Sequence, residues 1–254
     1  MSWLFDPVVL WAVAARLGGF IILLPAIPGV GIPATARVGI VIWMSLFIAP
    51  MLQTPPVGLM DPWGLLFLLV GEFGIGLAYA GCMKLVFGAV ELGASIIEND
   101  MGLSAARQYN PLLGGPTGPV VTLWSLIALV YYWILGFFPL SIMALRESFE
   151  LVPPGTMGAI AGLPSVLRTA SGIFTGALMI AAPIIAVGFV VNVCLGLAAK
   201  AVQQMNIFAE SFAIRLVAVG FALVAFLPIL LLAIRVQVEH ALPEAARFLR
   251  ALPG

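Results

Sequence analysis

Apolar residues run along this chain in long uninterrupted stretches, and clusters of proline and glycine cut the stretches apart. Hydrocarbon about 30 Å thick takes roughly 20 helical residues at 1.5 Å each, and about six stretches approach that length. The first, 8–24, and the second, 37–52, are separated by Pro25, Pro28, Gly29, Gly31 and Pro33, which stop a helix and turn the chain, so 8–52 reads as a helical hairpin. After Pro55, Pro56 and Pro62 a helix-compatible stretch runs over 63–102, far beyond one membrane thickness, and reads as a long broken helix that tilts or projects. Further helices are predicted over 119–145, 172–199 and 214–235, kinked at Pro139, Pro183 and Pro228. Residues 104–118 carry Pro111, Gly114, Gly115 and Pro116 and read as an irregular loop, too apolar for ordinary solvation. Residues 146–171 form a polar connection with room for a short helix, and 236–254 form a hydrophilic tail expected in water or at an interface. The expectation is an all-α integral membrane protein forming a single domain over 1–254.

Composition sharpens this reading. Of 254 residues 63% are hydrophobic and 9% charged, against about 25% charged in soluble domains, so the solvent is lipid or a hydrophobic assembly. Eleven basic and eleven acidic residues cancel, with no basic run, which argues against nucleic acid as a partner. Cys82 and Cys194 both lie in apolar runs and read as small packing residues. No Lys or Arg precedes the first run and Arg16 interrupts it, so a cleaved secretory signal is not expected. Basic residues fall near span ends on both sides, and the positive-inside count gives no clear orientation.

Enzyme chemistry has little to stand on. The single histidine, His240, lies in the polar tail without a second histidine to share a metal, and neither a GxSxG nor an HExxH pattern occurs. GVGIPA (29–34) matches GxGxxG/A only formally, since Pro28 precedes it and Pro33 lies inside it. No catalytic residue, metal or cofactor is expected.

Charges inside apolar stretches carry more information, because each is costly in lipid and points to a partner or an aqueous path. Glu72, Lys84, Glu91 and Glu98 lie in the long third stretch, the last three at seven-residue intervals that drift only about 20° per step on a helix. The last three read as one polar face, and the four charges serve either contacts for assembly or a water-filled path. Arg16 in the first stretch is expected to snorkel to an interface. Gly172 and Gly176 form a GxxxG at the start of the fifth stretch, and Gly71, Gly74 and Gly76 thin the third, as close helix packing in membranes requires.

Four blocks then bring a family into view. GASIIENDMGLSAARQYNP (93–111), the spacing of Arg16, Pro28, Pro33 and Arg37, RESFELVPPG (146–155) and APIIAVGFVVNVCLGLAAKAVQQMNIF (182–208) together resemble the FliR/SctT family of type III secretion export gate proteins, in the family's order along most of the chain. Asn110 stands where the family usually has Asp, Lys200 where it has Arg, and Gln203 where it has Pro. The resemblance implies a subunit that joins FliP and FliQ in a helical assembly at the centre of the flagellar basal body, in the bacterial inner membrane. It also implies work alongside FlhB and FlhA to pass unfolded export substrates. By the same resemblance Ala105–Thr117 projects into the pore as a plug, with Tyr109, Asn110, Pro111, Leu112, Leu113, Gly114 and Gly115 at its centre; a loop that caps the assembly from outside is the competing role. The equivalent SctT-type subunit of a virulence system is the nearest alternative. A small-solute secondary transporter would need an internal inverted repeat, and the chain shows no halves of matching hydropathy. An intramembrane enzyme would need paired acid and base groups at one depth.

Overall fold

The computed structural model describes residues 7–25, 33–52, 61–103, 118–154, 163–201 and 207–252. Among the described residues there is no strand. The helices are α1 (Pro7–Leu23), α2 (Ala34–Ile48, closed by a 3-10 turn at Ala49–Met51), α3 (Pro62–Asp100), α4 (Pro119–Ile134), α5 (Phe137–Leu151), α6 (Leu163–Ala201), α7 (Ile207–Ala225) and α8 (Leu227–Ala251). Three helical stretches, Ala34–Met51, Pro62–Asp100 and Leu163–Lys200, are each long and apolar enough to cross a membrane, and five are reached when each bent pair of helices counts as one. Helix α1, with 17 residues, is about 26 Å long and falls short of the hydrocarbon by itself. The chain is a helical membrane protein.

Several boundaries differ from the sequence reading, each for a physical reason. Helix α3 is unbroken for 39 residues, because proline stands only at its first position, where the missing N–H costs nothing. The expected helix over 119–145 is two helices bent by 67°. The break falls at Leu135 and Gly136, whose φ of +70° is open to glycine at little cost, while Pro139 sits harmlessly in the first turn of α5. The last expected helix breaks likewise, by 68° after Ala225, with Pro228 in the first turn of α8. Pro183 lies inside α6, which starts at Leu163 and runs 39 residues.

The tail is the plainest correction. Residues 236–251 continue α8, and Val238, Ala241, Ala245, Phe248 and Leu252 are all buried. Their spacing of three and four residues makes one apolar face, which the charged residues between them hide when composition alone is read.

The chain forms two compact units. The first comprises Met1–Val86, Tyr132–Ser171 and Glu239–Gly254. Its centre is a close crossing of α1 and α3, where a Cβ added to Gly76 would overlap the Arg16 carbonyl oxygen and one added to Gly19 would overlap that of Phe73. Two backbones meet there because neither glycine carries a side chain, and Phe20 stacks on Tyr79 beside them with ring centroids 5.6 Å apart. Around the α4–α5 bend, Tyr132 Oη and Ser141 Oγ lie 2.6 Å apart, and the Tyr79 hydroxyl donates to the Ser141 carbonyl at 3.3 Å.

The second unit comprises Phe87–Tyr131 and Gly172–Val238. Its core includes Val90, Ala94 and Ile97 of α3, Trp124 and Ala128 of α4, and Ala177, Ile180 and Ile184 of α6. Gly93 admits α6 closely, a Cβ there falling 3.0 Å from the Ala177 carbonyl oxygen.

Candidate functional site

Two buried polar centres hold these units. In the first unit, α1 carries Arg16 fully buried, so its guanidinium must find every partner within the protein. Its Nε donates to Glu72 Oε2 of α3 at 2.7 Å, Nη1 donates to Ser148 Oγ of α5 at 3.0 Å, and Nη2 donates to the Val152 carbonyl at 2.9 Å. The Phe149 ring lies under the guanidinium, 4.1 Å from Cζ to centroid. Ser148 in turn donates to the Leu145 carbonyl. A planar fork that serves three directions at once is what arginine supplies and lysine does not. The centre therefore fixes α1, α3 and the end of α5 to one another.

In the second unit Glu98 is buried and accepts hydrogen bonds from the Val120 N–H at 2.7 Å and the Val121 N–H at 3.4 Å. These amides belong to the first turn of α4, where N–H groups lack helical partners and the helix dipole favours a negative charge. Nearby, α3 ends in a turn at Gly102 with φ of +76°, and a Cβ there would come within 3.0 Å of the Phe212 ring of α7. Asp100 lies against Gly188 of α6, a Cβ on that glycine falling 2.9 Å from its Oδ2.

These arrangements revise the expectations. Arg16 does not snorkel; it is locked to Glu72, since water is out of its reach and an opposite charge is not. Lys84, Glu91 and Glu98 lie within about 40° of one another along α3 but do not share one environment. Lys84 and Glu91 are exposed, whereas Glu98, one step beyond Glu91, is buried and holds the start of α4. Gly176 is buried and packed against the Gln237 side chain of α8, while Gly172 is exposed with nothing within 4 Å of an added Cβ, so the GxxxG divides. Tyr109, Asn110, Pro111, Leu112, Leu113, Gly114 and Gly115 lie outside the described residues. Gly19, Ser148 and Phe149 were not singled out as site residues by sequence, yet a signal for the first centre was present. Arg16 and Glu72 are single opposite charges, each alone in its part of an apolar run, and Ser148 and Phe149 stand in one of the blocks that carried the resemblance.

Comparison with known proteins places the chain in a family. Residues 8–241 match the family described as "Bacterial export proteins, family 1". The chain belongs to this family. Among its relatives as an export protein is the flagellar biosynthetic protein FliR of Caulobacter vibrioides, 27% identical over 212 residues that cover 80% of this chain and 82% of the relative. FliR of Bacillus subtilis is 22% identical over 243 residues, covering 94% and 93%. The surface presentation of antigens protein SpaR of Salmonella typhimurium is 25% identical over 219 residues, covering 85% and 82%. With its transmembrane helices, the export protein is a membrane component of a type III export apparatus.

Proposed function

We propose that the chain is a core subunit of the bacterial flagellar type III export gate, seated in the inner membrane at the centre of the basal body. With FliP and FliQ it forms the portal for unfolded flagellar substrates, alongside FlhB and FlhA. The observation that carries this reading is the end-to-end match to FliR proteins, reaching 94% of this chain in one of them. The SpaR relative supports the second reading, the equivalent subunit of a virulence secretion system. Loss of the gene separates the two: a flagellar subunit abolishes motility, a virulence subunit leaves it intact.

Within this reading the exposed Lys84 and Glu91 serve contacts with neighbouring subunits, since each is a charge on an apolar helix without an ion pair among the described residues. The apolar segment around Tyr109, Leu112 and Leu113 acts as a plug, its side chains keeping a narrow passage dry while the Gly- and Pro-rich sequence rules out a continued helix. Co-expression with FliP and FliQ followed by purification in mild detergent tests the assignment. One stable complex containing all three chains is expected, and a monodisperse folded monomer without affinity for either would overturn it.

A further inference from the structure

We propose that the start of α6 and the end of α8 form a binding site for an anionic phospholipid headgroup, gripped by Arg168 and Arg247. Both stretches belong to the first unit. The Thr169 hydroxyl of α6 joins them, shared between the Ser165 carbonyl at 3.0 Å and Glu244 Oε2 of α8 at 3.4 Å. The other oxygen of that carboxylate accepts from Arg247 Nη1. Thr169 is buried while Arg168 beside it and Arg247 are exposed. The contact therefore sets two exposed guanidiniums on neighbouring turns of two packed helices.

Charge and depth select the occupant. From Glu239 to Ala251 the exposed positions of α8 are His240, Pro243, Arg247 and Arg250, which recur on one face, whereas Glu239 and Glu244 are half-buried. That face presents cations with no exposed carboxylate among them. The net charge of zero conceals this, because a headgroup meets one face and not the whole chain. Arg168 and Arg250 take part in no ion pair among the described residues. Depth follows from α6, which is long and apolar enough to cross a membrane and carries no charged residue between Arg168 and Lys200. Arg168 thus marks the edge of the apolar stretch, where a span meets headgroups, and Leu167 beside it is 62% exposed. Through Thr169 and Glu244, Arg247 is held at the same level. Two guanidiniums at that level suit a lipid phosphate, which accepts from both while its chains stay in hydrocarbon. The inference rests on the membrane setting alone, so it stands or falls apart from the export-gate assignment.

The test titrates fluorescent phosphatidylglycerol, and phosphatidylcholine as its neutral counterpart, onto the full chain purified in mild uncharged detergent with whatever chains accompany it. Phosphatidylglycerol is expected to bind saturably and more tightly than phosphatidylcholine. Arg168→Gln and Arg247→Gln are each expected to weaken it about fivefold, and the double variant about twenty-five-fold, as loss of one and of two arginines at an anionic surface does. Arg247→Lys keeps the charge and is expected to retain most of the binding. Arg146→Gln removes an exposed cation of α5 that Glu150 already pairs at 3.8 Å, and is expected to change nothing. If Arg247→Gln unfolds the chain by freeing Glu244, Arg168→Gln decides, at unchanged thermal stability. Equal affinity for the two lipids, or undiminished binding in the double variant, overturns the site. Displacement of the lipid by an equal concentration of glycerol phosphate overturns a lipid as the occupant. So does displacement by an oligoglutamate peptide, which would make the face a dock for an acidic protein segment.

Discussion

Arg16 has exchanged water for four protein contacts, and its energetics follow from that exchange. A buried ion pair contributes modestly as a pair, but removing one partner strands the other charge and costs roughly 3–5 kcal/mol. Arg16→Ala is therefore expected to lower the thermal stability of the purified complex sharply, and Arg16→Ala combined with Glu72→Ala to recover part of the loss. A double variant worse than the single one would show that the other Arg16 partners, Ser148, Val152 and Phe149, carry most of the effect. Lysine at position 16 is expected to rescue poorly, since an ammonium cannot serve Glu72, Ser148 and Val152 with the same planar fork. The sequence showed the cost of this charge without its solution. Hydropathy measures how ill an arginine sits in lipid, while its partner, 56 residues away, is decided by which helices meet.

Helices meet here where glycine allows it, and element-scale tests can ask which glycines matter. Gly76→Ala forces a methyl into the α1 backbone and is expected to abolish folding of the first unit, read as loss of purified complex. Gly74→Ala meets open space within the chain and is expected to be neutral or to gain up to about 1 kcal/mol of helix stability. Equal effects of the two would refute the close crossing. The same contrast applies to the end of α8. Phe248→Ala, at a fully buried position, is expected to cost about 3–5 kcal/mol, whereas Arg247→Ala, at a largely exposed one, is expected to change stability little; equal effects would return the segment to solvent. Long apolar helices were legible because their signal is local and adds along the chain. The two bends lie a few residues before Pro139 and Pro228, because a proline fits the first turn of the helix that follows a break. The amphipathic end of α8 was missed because periodicity, not charge content, records which face is buried.

As a whole, the molecule leaves large apolar side chains such as Trp43, Phe67, Phe174 and Phe221 exposed, as a surface meant for lipid or other subunits does. Glu91→Lys should then lower the yield of complex with FliP and FliQ on native gels before it alters conductance. Normal yield with altered ion passage would instead place Glu91 on a path. Helix α3 adds a measure of depth. Trp63, exposed at its start, is the kind of residue that rests at a membrane interface, and Lys84, also exposed, can reach the opposite one. The rise between them is about 32 Å, close to one hydrocarbon thickness, and the single charge in between, Glu72, is the one Arg16 neutralises. From Lys84 to Asp100 the helix climbs about 24 Å more, so its 39 residues exceed one hydrocarbon thickness even at a tilt of about 40°. A helix this much longer than the bilayer is thick works as a ruler: part of it must stand outside the hydrocarbon, with protein or water around it instead of lipid.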